Sequence, residues 1–333
     1  MALQVLKKSI QNTIRNNFPP CSVFCRDPLV LVAFDVDFTR GRDWFLDVFR
    51  KSRAASIHVF LQLGYEHETQ KNAVPFATEV KSILDACPRL KVTVLANTMK
   101  EVESLSALGL HAVFCHQNAF LDESRYPLLN VPKRYDAIYI ARFTPCKRHQ
   151  LAADIRSIRL IGDCVYKKEQ PYMDEMIGDK LAHAEWSTHV APSRIPAEIE
   201  AARCGLCLSD IEGAMFVSAE YLLCGIPVVN TRNIGGRDEL FPDFAVKTVP
   251  DDPAAVAEAV QEFVRNPIPP EKIRAAVLEK MVPHRKTFRK LLNEAMAPAC
   301  FPDSRKIPHK FLIRCTKRPL ELLRYGIWHP RPH

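Results

Sequence analysis

The chain has 333 residues, of which 47% are hydrophobic and 25% are charged, a composition typical of a globular protein. Its longest purely apolar run, residues 28–34, is far shorter than the about 20 residues that cross a bilayer, so no membrane-spanning helix is expected. The net charge is +8, but eight Lys and Arg against two Asp and Glu lie in residues 301–333 alone. A nucleic-acid-binding surface spread over the whole fold is therefore excluded.

Short apolar runs alternate with helical stretches along the chain, a pattern that predicts an α/β fold with mostly parallel sheets. The predicted strands are 29–34, 57–63, 92–96, 112–115, 135–141, 158–161, 204–208, 226–230 and 246–249. The predicted helices are 43–50, 75–86, 100–108, 147–155, 196–203, 215–224 and 253–265.

One stretch, residues 118–133, is polar, contains two prolines and lacks periodicity, as a linker does. We therefore predict four parts. They are a short N-terminal α/β domain (1–117), the linker (118–133), a C-terminal α/β domain (134–298) and a basic C-terminal tail (299–333).

The 11 cysteines form no tight framework, and Lys7 and Lys8 interrupt the apolar pattern that a secretory signal needs. Reduced thiols and a cytoplasmic location are the expectation. Cys204 and Cys207 form a C-x-x-C, but in a strand residues three apart point to opposite faces, so we expect no metal or redox site there.

The richest segment for chemistry is residues 209–240, which hold four of the chain's 11 glycines. A strand ends at Leu208 and a helix starts near Ala214, so the main-chain N–H groups of Gly213, Ala214 and Met215 form a candidate phosphate cradle. Glu212 and Glu220 stand about two helical turns apart on one side, and carboxylates suit sugar or ribose hydroxyls. The alternative is that Glu212 caps the helix and Glu220 is a solvated charge.

A second candidate lies after the predicted strand 135–141, where Arg142 and Lys147 stand five residues apart. Two cations at a strand-to-helix junction suit a diphosphate, the guanidinium as a planar fork and the ammonium as a point charge. The alternative is a solvated basic turn that also includes Arg148 and His149.

These residues together resemble the donor-binding signature of retaining glycosyltransferases with the GT-B fold, in glycosyltransferase family four, often called group one. The signature is carried by Glu212-x7-Glu220, then Gly-Ile-Pro-Val-Val, then Gly235-Gly236-Arg-Asp-Glu-Leu. Arg142 and Lys147 keep the family's upstream spacing, although Tyr221 replaces the usual Ala after the second Glu. Weaker matches to the family lie at residues 118–127, at residues 190–199 and at residues 251–253. The second of these resembles the family's loop and helix beside the nucleotide base.

The resemblance implies two Rossmann-like domains facing a cleft, with the N-terminal one short. It implies transfer of a sugar from a nucleotide-diphospho-sugar to a glycan, lipid-linked glycan or protein, with retention of anomeric configuration and without a metal or other cofactor. The implied catalytic residues are Glu212, Arg142 and Lys147. The implied donor-binding residues are Gly213, Ala214, Met215, Glu220, Ser193, Gly235 and Gly236.

Two other functions are considered. Asp35-x-Asp37-x-Thr39 after a hydrophobic strand resembles the first motif of haloacid-dehalogenase-type phosphatases, in which the first Asp is the nucleophile and magnesium binds nearby. The later motifs of that family are missing. Alternatively, the short N-terminal domain suggests a non-catalytic, degenerate transferase that acts as a binding subunit.

The basic tail alternates cations with large apolar residues over 304–331. Such a segment either packs on the N-terminal domain or makes peripheral contact with an anionic membrane, at the inner face in a cytoplasmic protein.

Overall fold

The computed structural model describes residues 19–296, which divide into two compact units. The described part of the first unit comprises residues 19–120 and 283–296, and the second unit comprises 121–282. The boundary between residues 120 and 121 falls inside the predicted linker. The two alternatives for the basic tail concern residues that lie outside the described ones.

The first unit is built on a five-stranded sheet in the order β1-β2-β3-β4-β5. Strands β2 to β5 are parallel, and β1 pairs antiparallel with β2. Their bounds are β1 (Cys21–Arg26), β2 (Leu29–Phe34), β3 (Ile57–Gln62), β4 (Leu90–Ala96) and β5 (Ala112–Phe114). The helices are α1 (Asp35–Arg40), α2 (Arg42–Lys51), α3 (Gln70–Ala86) and α4 (Met99–Ala107). The strands could be predicted from the sequence because parallel strands that are buried on both faces consist of continuous apolar runs.

A long helix, α9 (Pro270–Met296), ends in the first unit. Its Phe288 packs edge-on against Phe60 of β3 and Phe120, each with ring centroids 5.5 Å apart. His284 accepts a hydrogen bond from the His116 main-chain N–H at 3.2 Å. These contacts place residues 283–296 with the first sheet, whereas the sequence prediction assigned them to the C-terminal domain.

The second unit is built on a six-stranded, all-parallel sheet in the order β11-β10-β9-β6-β7-β8. The strands are β6 (Tyr135–Ile140), β7 (Ile158–Ile161), β8 (Glu185–Ser187), β9 (Ala202–Cys207), β10 (Val228–Thr231) and β11 (Val246–Val249). The helices are α5 (Gln170–Glu175), α6 (Ile195–Glu200), α7 (Phe216–Leu223) and α8 (Pro253–Arg265), followed by the start of α9.

Eight described cysteines, including Cys204 and Cys207, are free thiols, and both of these are fully buried in β9. Cys25 departs from the expectation of reduced thiols, because it is disulfide-bonded. Among the described residues, no helix has the length and apolarity needed to span a membrane.

Tyr221 of α7 packs against Gly205 of β9 in the middle of the second unit. A Cβ added at Gly205 would lie 2.2 Å from the Tyr221 ring, and the Tyr221 hydroxyl accepts the Ile140 N–H of β6 at 2.8 Å. The aromatic residue that replaces the usual Ala therefore needs a strand position without a side chain beneath it.

We predict that Gly205→Ala lowers the free energy of unfolding by about 1–3 kcal/mol, because the new methyl group overlaps the buried ring. Chemical denaturation measures the loss. In a Tyr221→Ala background the same substitution should cost much less, since the ring is gone. An equal cost in both backgrounds would contradict the explanation.

Candidate active site

The candidate site lies at the carboxyl ends of β6 and β9, which are neighbours in the second sheet. From β6 the chain continues to β7 and β8 on one side, whereas β9, β10 and β11 follow on the other. In open α/β sheets, ligands bind at this point, where the strand order reverses. Arg142 and Lys147 follow β6, and Ser209 and Glu212 follow β9, so the topology brings the two predicted motifs to one place.

Lys147 and Glu212 are in direct contact. The Lys147 ammonium forms an ion pair with Glu212 Oε1, and each side chain is only 15% exposed. Ser209 Oγ donates a hydrogen bond to the same carboxylate oxygen at 2.7 Å. Glu212 Oε2 accepts no hydrogen bond from the part of the chain that the structure describes, and it is not a buried atom. One oxygen thus anchors the carboxylate, and the other is available to a ligand.

The two predicted cations, Lys147 and Arg142, differ in how deeply they are buried. Burial lowers the pKa of Lys147 to about 8, and the nearby charges of Arg142 and Arg237 act in the same direction. The Glu212 carboxylate opposes this by favouring the charged amine. Arg142 is exposed and forms no ion pair with any residue in the described range 19–296. Its guanidinium is therefore open to an anion.

The segment after β6 is not the predicted helix 147–155. Two short 3₁₀ helices, Pro145–Lys147 and His149–Ala152, flank Arg148, whose φ of 50° is in the left-handed region. The Arg148 guanidinium donates to Leu208 O (2.6 Å), Thr231 Oγ1 (2.7 Å) and Asp251 Oδ2 (2.6 Å). Three charge-assisted or polar contacts hold a backbone conformation that is unusual for a residue with a side chain. Arg148 is therefore not part of a solvated basic turn.

Arg237, a residue that the sequence reasoning missed, is fully buried beneath the site. Its guanidinium donates to the main-chain oxygens of Ser209 (2.6 Å) and Thr231, and its Nε donates to Asp238 Oδ1 at 2.8 Å. It thus ties the loop after β9 to the loop after β10. A buried charge needs such partners, but nothing in a Gly-Gly-Arg-Asp sequence distinguishes a buried arginine from an exposed one.

The same two loops are joined along their main chains. Glu212 N–H donates to Ile234 O at 3.0 Å, and Gly236 N–H donates to Gly213 O at 2.7 Å. Gly235 has a φ of 106°, a conformation that favours glycine. The predicted residues Gly213, Gly235 and Gly236 therefore fix the backbone position of Glu212.

Helix α7 begins at Phe216, one residue after the start of the predicted helix 215–224, and Met215 is its N-cap with a φ of 44°. Within residues 19–296 no side chain caps this helix, and the bonded partners of Glu212 are Lys147 and Ser209, so the alternative role of Glu212 as a cap is wrong. Gly213 and Ala214 are buried just before the helix. Ser193 is exposed in the turn before α6.

Glu220 is not a solvated charge. The hydroxyl of Tyr126 donates to Glu220 Oε1 at 2.7 Å. Burial raises the pKa of Glu220, whereas the bond from Tyr126 and the charge of Arg125 lower it. The sequence indicated that this carboxylate needs a partner but did not identify Tyr126.

Asp35 and Asp37 lie in the first unit, in the first turn of α1, and both are buried. Asp35 accepts hydrogen bonds from the N–H groups of Val36 (2.7 Å) and Gly64 (3.0 Å), and its other oxygen lies 2.9 Å from His67 Nε2. Both oxygens of the residue predicted as a phosphatase nucleophile are thus engaged within the fold.

Residues 122–279 match the model of the family described as glycosyl transferases group 1. No match is found among curated proteins. Among solved structures, the chain is similar to Anabaena HepE in complex with UDP and glucose, with 16% identity and a TM-score of 0.56 over 79% of this chain and 77% of that one. It is also similar to a glycosyltransferase from Rickettsia africae, with 14% identity and a TM-score of 0.58 over 79% and 83% of the two chains.

A third similar structure is sucrose-phosphate synthase from Thermosynechococcus elongatus, with 14% identity and a TM-score of 0.54 over 78% of this chain and 79% of that one. These likenesses show the fold class predicted from sequence, α/β of the GT-B type. The family match falls on the second unit, which holds every one of the predicted catalytic and donor-binding residues.

Proposed function

We propose that this chain, whose residues 122–279 match the model of the group 1 glycosyl transferases, is a glycosyltransferase that transfers a sugar from a nucleotide-diphospho-sugar with retention of anomeric configuration. The observation that carries the proposal is the contact between Lys147 and Glu212 at the carboxyl ends of β6 and β9. It joins a cation suited to a diphosphate to a carboxylate with one oxygen available for sugar hydroxyls. The UDP and UDP-glucose complexes of HepE support a donor of this class.

In the proposed mechanism, the leaving diphosphate is stabilised by cations and needs no metal. Lys147 has three N–H donors, so it keeps its contact with Glu212 while two donors face the phosphates. The exposed guanidinium of Arg142 supplies a second positive charge. Gly213, Ala214 and Met215, at the start of α7, are proposed to lie against the phosphates. Charge that develops on the diphosphate in the transition state is then met by groups already in place.

Glu212 is proposed to hold the donor sugar and orient its anomeric carbon through Oε2. Because Oε1 is engaged by both Lys147 and Ser209, we assign Glu212 an orienting role and not that of a covalent nucleophile. Glu220 is proposed to bind ribose hydroxyls, and Ser193 with Gly235 and Gly236 to complete the donor site. Retention itself would be read from the anomeric coupling constant of the product by proton NMR.

The acceptor is proposed to be a glycan, a lipid-linked glycan or a protein, in a cytoplasmic pathway of polysaccharide synthesis. Peripheral contact of the tail with an anionic membrane stays a prediction. Co-sedimentation with anionic but not neutral vesicles would support it, and no binding at low salt would contradict it.

The two alternative functions, a phosphatase and a non-catalytic binding subunit, make different chemical demands on the protein. Because the carboxylate of Asp35 is occupied by main-chain N–H groups and His67, we propose a structural role for it and not a phosphatase reaction. A non-catalytic subunit would bind a nucleotide-sugar without turning it over.

The first experiment is a thermal-shift screen of the full chain against UDP-, GDP-, ADP- and CMP-sugars, followed by slow hydrolysis of the donor that binds. A ligand at 100 times its Kd stabilises the folded state by about 2.7 kcal/mol, which raises Tm measurably. We expect one nucleotide class to stabilise the protein and its sugar to be released. Stabilisation without any turnover would favour the non-catalytic subunit.

We predict that Glu212→Ala and Lys147→Ala each lower turnover of that donor at least ~100-fold, which corresponds to about 2.7 kcal/mol of transition-state stabilisation. Glu258→Ala and Lys280→Ala serve as matched controls, since both residues are exposed on helices of the second unit and belong to neither loop. Near-normal turnover by a folded Glu212 or Lys147 variant would remove that residue from the mechanism.

The pKa of Lys147, lowered to about 8 by burial, predicts a pH dependence. Above that pH the free enzyme loses the positive charge that meets the diphosphate, so kcat/KM for the donor should fall as pH rises through about 8. Lys147→Arg keeps its charge at high pH and should remove this fall while lowering the maximum. Superimposable pH profiles of the two proteins would show that Lys147 does not titrate in the donor-binding step.

A further inference from the structure

Glu220 is held by a side chain from outside its own helix. It lies in α7, and the Tyr126 hydroxyl that donates to its Oε1 at 2.7 Å comes from the segment that opens the second unit, 94 residues earlier in the sequence. Glu220 Oε2 accepts no hydrogen bond within residues 19–296 and is not a buried atom. The carboxylate thus presents one engaged oxygen and one open oxygen.

Tyr126 is itself fixed in place. It is nearly fully buried, and Arg274 of α9 donates hydrogen bonds to the main-chain oxygens of Tyr126 and of Leu223, the last residue of α7. The second terminal nitrogen of Arg274 donates to Glu123 O at 2.8 Å. One guanidinium therefore joins the segment that carries Tyr126 to the helix that carries Glu220.

Rotation of a glutamate side chain is normally free, and holding it costs conformational entropy. With one oxygen bonded to a phenol whose backbone is anchored, the carboxylate plane of Glu220 is set before a ligand arrives. A ligand that hydrogen-bonds to Oε2 then loses less side-chain freedom on binding, which raises its affinity.

We infer that Tyr126 is a positioning residue for the nucleotide donor, orienting Glu220 so that Oε2 alone accepts the vicinal ribose hydroxyls. This inference rests on the proposed function, in which Glu220 binds ribose. Tyr126 makes its contribution through Glu220 and touches neither the sugar nor the diphosphate.

If Tyr126 orients Glu220 toward the ribose, its effect on affinity depends on the ribose hydroxyl groups of the ligand. The contribution of Tyr126 should exist only for a ligand whose ribose carries its hydroxyl groups. If Tyr126 merely stabilised the fold, its loss would weaken ribose and deoxyribose ligands equally.

The experiment compares UDP with 2′,3′-dideoxy-UDP by calorimetric titration of the full chain, with GDP or ADP and their dideoxy analogues in their place if the donor screen selects another base. We expect Tyr126→Phe to weaken UDP binding up to about 10-fold, the cost of immobilising one long side chain on binding, and dideoxy-UDP binding less than about 2-fold. In donor hydrolysis the same variant should raise KM and leave kcat close to normal.

Two further proteins complete the design. Tyr65→Phe is the matched control, because Tyr65 is 61% exposed in the first unit and loses the same hydroxyl. Glu220→Gln supplies the background for a double-mutant cycle, in which the penalty of Tyr126→Phe for UDP should largely vanish.

The outcomes separate the hypotheses. An equal loss for UDP and dideoxy-UDP, or an undiminished penalty in the Glu220→Gln background, would overturn the positioning role while leaving nucleotide binding intact. If the unaltered protein binds none of the nucleoside diphosphates, the proposed function itself fails, and the positioning role fails with it.

Discussion

Two buried or nearly buried guanidinium groups hold together the loops on which the candidate site depends. Arg237 bonds to the main-chain oxygens of Ser209 and Thr231, and Arg148 bonds to Leu208 O and Thr231 Oγ1. These atoms belong to the chain just beyond β9 and at the end of β10. Strand ends in a parallel sheet leave carbonyl oxygens without partners, and arginine has enough donors to satisfy several of them at once. The position of Glu212 follows from this arrangement.

The two carboxylates of the signature differ because their surroundings differ. Glu212 is paired with the Lys147 ammonium, so its negative charge is balanced within the site. Glu220 is half-buried with a neutral phenol as its direct partner, and desolvation raises its pKa. An ion-paired carboxylate beside cations suits a location where negative phosphate must be tolerated, since the pair adds no net charge. A carboxylate with a neutral partner suits neutral hydroxyl donors. The same residue type thus serves two purposes through its local environment.

The sequence predicted those parts of the fold whose signal is local. Buried parallel strands such as β2 and β6 are apolar along their length, and amphipathic helices such as α8 repeat at helical spacing. Strands β1 and β8 were not predicted, since β1 is held as an edge by antiparallel pairing and β8 has only three residues. The helix predicted at 147–155 was wrong, because the contacts of Arg148 with three distant residues override local propensity.

The candidate site shows the same division between local and distant information. Glu212, Lys147 and the glycines could be identified because their spacing along the chain reflects the geometry of a strand, a loop and a helix. Tyr126, Arg237 and Arg274 could not, because they act on groups with no pattern of their own, 94 residues away (Tyr126 to Glu220), 28 residues away (Arg237 to Ser209) and 148 residues away (Arg274 to Tyr126). Their common feature is chemical, since each brings hydrogen-bond donors to an acceptor that burial would otherwise leave unpaired. A motif therefore specifies which groups meet the ligand, whereas the residues that hold those groups in position are found only once the chain is folded.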